Sequence, residues 1–130
     1  AIRDPLWSRG LGDVYKRQLL FHCTAGKDRT GIAAALILEL CGVERGLVLD
    51  DYELTNALRS ERRIEFLRPR LEDAGAEIDA IRPDLSAPRP AMERTLTYLA
   101  STHGGVERFL IEQLGIDSDT IAALRLNLLV

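Results

Sequence analysis

Ten consecutive residues, His22-Cys23-Thr24-Ala25-Gly26-Lys27-Asp28-Arg29-Thr30-Gly31, constrain this chain more than any other stretch. The apolar residues before them, within 18–22, read as a short strand. The run over 32–40 behind them reads as a helix. A strand, a tight glycine-bearing loop and a helix N-terminus in that order gather backbone N–H groups around one point, with the positive end of a helix dipole behind them. Such a cradle suits a dianionic phosphate, and Cys23, at the start of the loop, falls at its floor.

The residue types fit that chemistry one at a time. A thiol is a weak nucleophile at neutral pH until a helix N-terminus, converging N–H groups and a nearby cation hold it as thiolate. Arg29 offers a planar fork able to grip two phosphate oxygens, which a lysine cannot imitate. The Thr30 hydroxyl can hydrogen-bond the sulfur and later ease its departure from a phospho-cysteine. Backbone N–H groups of Thr24, Ala25, Gly26, Lys27, Asp28 and Arg29 are the expected phosphate ligands. Gly26 and Gly31 permit the turn or a close backbone approach. His22 is expected to fix the loop through a hydrogen bond rather than act as a base, and Lys27 to add positive charge at the rim.

These residues carry a resemblance. The loop resembles the phosphate-binding signature of the cysteine-dependent protein tyrosine phosphatases. Its Gly-Lys-Asp-Arg-Thr-Gly form is similar to the bacterial tyrosine/dual-specificity phosphatases that also accept phosphoinositides. Downstream, Asp51-Tyr52-Glu53-Leu54-Thr55-Asn56 resembles that family's Asp-Tyr-x-Leu-Thr/Ser-Asn segment, and the stretch from Gly104 to Leu129 resembles its C-terminal helices. The resemblance implies an α/β phosphatase fold, a parallel-type central sheet flanked by helices. Here it would be truncated to a mostly helical chain with one strand entering the loop. It implies a phosphomonoester hydrolase working through a phospho-cysteine, with Cys23, Arg29, Thr30 and Asp28 in the chemistry. A phosphorylated protein is the first expected substrate and a phosphoinositide the alternative; an inactive phosphate-binding or structural fragment is the reading from another class. No cofactor and no metal are expected.

Before the loop, residues 1–17 resemble nothing upstream in that family and read as a non-native or disordered tail, a translated linker. Residues 18–130 then read as the C-terminal part of a phosphatase-like domain, with little activity expected of the chain alone. A hydrophobic fraction of 46% and a charged fraction of 28% suit a globular protein, and a net charge of −3 argues against nucleic acid as a partner. The longest apolar run, 32–38, is too short to insert stably in a membrane. A reactive thiol without a disulfide framework suggests the cytoplasm. Cys41 reads as a small buried residue at the far end of the helix that Cys23 precedes.

Beyond the loop the periodicity predicts helices over 31–40, 45–60, 61–74 (interrupted at Pro69), 90–102, 105–114 and a last one capped by Asp117 or Ser118. The first, with Glu39 its only charge, is expected to be central and buried. Pro83, Pro88 and Pro90 predict a loop. Asp28 is either a cap-like carboxylate or a proton donor to the leaving group. Asp50, Asp51 and Tyr52 are expected to pack and cap beneath the loop. Arg59, Arg62, Arg63, Arg68 and Arg70, interleaved with Glu61, Glu65 and Glu72, read as a solvated helix face, with a headgroup patch as the alternative. His103 is expected at the surface, at a helix C-terminus.

Overall fold

The computed structural model describes residues 20–129. They form seven α-helices and one π-helical turn: α1 (Asp28–Leu40), α2 (Arg45–Thr55), the π-turn (Asn56–Ser60), α3 (Glu61–Asp73), α4 (Ile78–Leu85), α5 (Arg89–His103), α6 (Val106–Glu112) and α7 (Ser118–Leu128). The expected strand and parallel sheet are corrected by this architecture. Leu20, Phe21 and His22 are not strand, and no sheet occurs among the described residues. A strand exists only through ladder hydrogen bonds to a neighbour, and every described segment able to pair is helical instead. Gln18 and Leu19, like the expected tail over 1–17, lie outside the described residues.

Local signals place the helix ends. Glu44 caps α2 by accepting from the Gly46 N–H at 3.2 Å, and Asp117 caps α7 by accepting from the Thr120 N–H at 2.7 Å. At the end of α5, Gly104 turns left-handed and the Gly105 N–H reaches back to the Leu99 carbonyl at 3.1 Å. Side chains then join successive helices. The Arg45 guanidinium forks onto Glu39 at 2.7 and 3.0 Å, tying the last turn of α1 to the first of α2. Arg125 of α7 donates to the Leu40 carbonyl at 2.7 Å and so closes the C-terminus of α1.

One core unites five helices. Ala35 and Leu40 of α1, Val48, Leu49 and Tyr52 of α2, Met92, Leu96 and Leu99 of α5, Val106 and Leu110 of α6, and Ile121 of α7 are all buried together with Ala87. Helix α1 packs on α2 and α6, α2 on α5, and α3 on α4. Burial of α1 is less complete than its apolar sequence predicts: Ala35 and Leu40 alone are buried, and Ile32 is 41% exposed. Its second apolar side, with Ala34, Ile37 and Leu38, instead lines an open groove with Phe21, Asp51 and Leu128. Cys41, expected to be buried, is half-buried and free, as is Cys23.

Three further expectations are revised. Pro69 does not interrupt α3. Pro83 lies inside α4 rather than in a loop, where it forfeits its N–H bond and its ring crowds the carbonyl four residues back, in a short helix with no buried residue. His103 is not a bare surface residue, because its ring packs edge-on between Tyr98 and Phe109, with centroids 5.7 and 5.1 Å away.

Candidate active site

Residues 23–27 bend tightly and deliver the chain into α1 at Asp28. Two glycines shape this passage for different reasons. Gly26 has φ +64°, and a Cβ there would meet nothing within 4 Å, so its demand is conformational. Gly31 is helical, but a Cβ there would lie 2.7 Å from the ring of Tyr52, so its demand is the close approach of α2. The first sequence motif and the second therefore meet at Gly31 and Tyr52.

The bend wraps the Cys23 sulfur. The Gly26 N–H donates to Sγ at 3.1 Å, and the Cys23 N–H donates to the Thr30 hydroxyl oxygen at 3.0 Å, closing the loop across seven residues. The thiol pKa is drawn down to about 6. The Thr30 hydroxyl is the largest cause and its backbone N–H the next; burial opposes them, and the N–H groups of Gly26 and Ala25 add to them. Near neutral pH this sulfur is a thiolate at the N-terminus of a thirteen-residue helix.

The charged residues of the motif diverge. Arg29 is exposed, and among the described residues its guanidinium pairs with no carboxylate. Asp28 is exposed and faces Lys27 Nζ at 3.5 Å. Lys27 departs most from its expected place: it is 8% exposed, not at the rim, and its ammonium donates to the Asp84 carbonyl at 2.5 Å. His22 is exposed, and no hydrogen bond joins its ring to another described residue, so the loop-fixing contact expected of it is not seen there. Thr24 is exposed, while Ala25 and Thr30 are half-buried.

Beneath the loop, Tyr52 is 7% exposed, and its hydroxyl pKa is raised by burial first and by the nearby Asp28 charge second. Asp51 is exposed, and Asp50 pairs with Arg89 across to α5. The arginine-rich helix holds mostly local partners. Arg68 pairs with Glu65, while Arg63 and Arg70 stack on the exposed ring of Phe66.

Sequence reasoning missed one set of residues altogether. The Asn56 carboxamide donates to the Ala87 carbonyl at 2.9 Å and accepts from the Ala87 N–H at 2.6 Å. Ser60 donates to the Leu85 carbonyl at 2.7 Å. The only sequence signal was the asparagine that closes the second motif.

The site thus gathers a cysteine whose sulfur accepts from a loop N–H and whose thiol pKa is lowered by a threonine hydroxyl, just ahead of a helix whose first turn carries an exposed arginine. Comparison with known proteins identifies the family. The family model described as tyrosine phosphatase family matches residues 8–130, and the chain belongs to that family. A protein of Cupriavidus necator bearing a tyrosine-protein phosphatase name is 32% identical over 109 residues, covering 84% of this chain and 38% of its own. The tyrosine-protein phosphatase of Nostoc commune is 31% identical over 116 residues, 85% of this chain and 38% of its own. The triple specificity protein phosphatase PtpB of Mycobacterium tuberculosis is 44% identical over 57 residues, 44% of this chain and 19% of its own. The chain thus spans well under half the length of these curated relatives. No solved structure matches it.

Proposed function

We propose that this protein is a cysteine-dependent phosphomonoester hydrolase that removes phosphate from phosphotyrosine-bearing protein by way of a phospho-cysteine. The observation that carries this reading is the Cys23 sulfur, held at a pKa of about 6 by Thr30 and the loop N–H groups at a helix N-terminus. In the first step the thiolate attacks phosphorus, a sulfur–phosphorus bond forms, and the phosphorus–oxygen bond to the leaving phenol breaks. Water then attacks the phospho-cysteine and releases phosphate, and the sulfur leaves as thiolate under the Thr30 hydroxyl. The N–H groups of residues 24–29 and the Arg29 fork hold the equatorial oxygens in both steps. Asp28, exposed at the start of α1, gives the leaving oxygen its proton in this reading. The family relationship supports a phosphorylated protein as substrate. The reactive, unpaired thiols fit a reducing compartment such as the cytoplasm, and among the described residues no helix is long and apolar enough to cross a membrane.

A second reading, that the same loop also accepts phosphoinositides, is favoured by the relative named for triple specificity and by the Gly-Lys-Asp-Arg loop. Phosphotyrosine peptide and phosphatidylinositol phosphate vesicles assayed side by side separate the two, and hydrolysis confined to the peptide removes the second. The covalent mechanism is tested by Cys23→Ser. That variant is expected to bind tungstate while losing all measurable aryl phosphate hydrolysis, because a serine hydroxyl stays protonated; residual turnover within about tenfold of the unaltered protein contradicts a phospho-cysteine.

A further inference from the structure

Lys27 belongs to the loop, yet its buried ammonium, with the Asp28 carboxylate 3.5 Å away, donates to a backbone carbonyl 57 residues downstream. The segment that supplies this carbonyl, residues 84–87, running from the last turn of α4 into the link to α5, is pinned from the other side by the π-turn. Asn56 grips both backbone polar atoms of Ala87, which is fully buried, and Ser60, 1% exposed, holds the Leu85 carbonyl. The Glu61 N–H bonds to the Asn56 carbonyl, five residues back, and this extra residue in the turn belongs to the local geometry that presents Asn56 and Ser60 to the same strap. Such π-insertions recur where a helix must re-aim side chains. On the loop side, the Lys27 carbonyl accepts from the Gly31 N–H at 2.7 Å, and the preceding residue, Gly26, is the one whose N–H touches the Cys23 sulfur.

We infer that Asn56 is a positioning residue for the phosphate loop, acting through the strap at 84–87 and the buried Lys27 ammonium to hold the Gly26 N–H against the Cys23 sulfur. This rests on the phosphate-loop reading above and assigns a role to the second motif, which that reading leaves unused. Lys27 on this view is an anchor. The Lys27 ammonium, 8% exposed, stays bonded to the Asp84 carbonyl because a buried cation released from its acceptor carries an uncompensated desolvation cost. Loosening the strap lets Gly26 drift from Sγ, which weakens the thiolate and the oxyanion cradle together.

The test uses the 130-residue chain and needs no turnover. The pH midpoint of Cys23 alkylation by iodoacetamide and the affinity for tungstate are measured for the unaltered chain, Asn56→Ala, Lys27→Met and the double variant, each checked for helical circular dichroism. Cys41 is replaced by serine throughout so that one thiol reports. Asn56→Ala is expected to raise the midpoint by about half a unit and weaken tungstate about threefold, the scale of one neutral hydrogen bond. Lys27→Met should do the same, and the double variant should go no further than either alone, as residues acting in one chain require. If Asn56→Ala fails to fold, Ser60→Ala removes a single strap bond and should move both readouts in the same direction. Folded variants that lose thermal stability while keeping the midpoint and the affinity would make Asn56 merely structural and overturn the inference; so would additive shifts in the double variant. An unaltered chain with a midpoint near the ordinary thiol value of about 8.5 and no tungstate binding would instead overturn the phosphate-loop reading itself.

Discussion

At Cys23 the decisive partner is Thr30, seven residues on, whose hydroxyl is the largest influence lowering the thiol pKa to about 6. The sign of the pH dependence follows. A depressed pKa favours the charged form, so the thiolate, and with it alkylation, rises through about pH 6 and is at its plateau by neutral pH. Its contribution to native stability is present above the unfolded thiol pKa, about 8.5, and is lost as pH falls through about 6. Thr30→Val keeps the shape and removes the hydroxyl, so the midpoint should climb toward the ordinary thiol value; a midpoint still near 6 would show that the helix and loop N–H groups suffice without the hydroxyl. The pairing of Cys23 with Thr30 was legible because the two lie only seven residues apart on one turn of chain. The direction of Lys27 was not, since a lysine stem reaches either rim or interior and the Asp84 carbonyl that draws it inward is far away in sequence.

At the scale of elements, α1 and α2 are fitted together by a missing side chain. Gly31 has no Cβ, and the Tyr52 ring occupies that space, with the Met92 methyl next beyond it at 3.9 Å. Gly31→Ala gains about 1 kcal/mol of helix propensity but forces a buried aromatic ring to shift, which typically costs about 1–3 kcal/mol. Net destabilisation of up to about 2 kcal/mol is expected by urea unfolding. In a Tyr52→Ala background the same change should become neutral or stabilising, and an unchanged penalty there would show that the clash is not with Tyr52. Helix boundaries with chemical stops, Gly104 after α5 and Asp117 before α7, could be read directly. The stretch 45–60 could not: it reads as one helix, whereas the chain inserts a π-turn at 56–60, which brings Asn56 and Ser60 to the strap. Helix α4 was hidden because Pro83 signals a break, a local signal that the packing of α3 on α4 overrides.

At the largest scale, the core gathered from α1, α2, α5, α6 and α7 carries the stability, while among the described residues the groove of Phe21, Ala34, Ile37, Leu38 and Leu128 is open. The two regions should respond differently to truncation. Leu96, 1% exposed, should cost about 2–5 kcal/mol when replaced by alanine. Ile37→Ser on the half-buried groove side should cost about 1 kcal/mol or less and reduce binding of a hydrophobic dye to the folded chain. Equal losses at both sites would mean that the groove is closed in solution. Sequence by itself determined the family and most of the helices, because these rest on residue chemistry and on spacing along one chain. Only the tertiary structure decided that the described residues hold no strand, that α1 is buried on one side alone, and that Lys27 serves as an anchor to residues 84–87. Those outcomes depend on which distant backbone groups and apolar faces come within a few ångströms of one another, and local propensity carries no record of that.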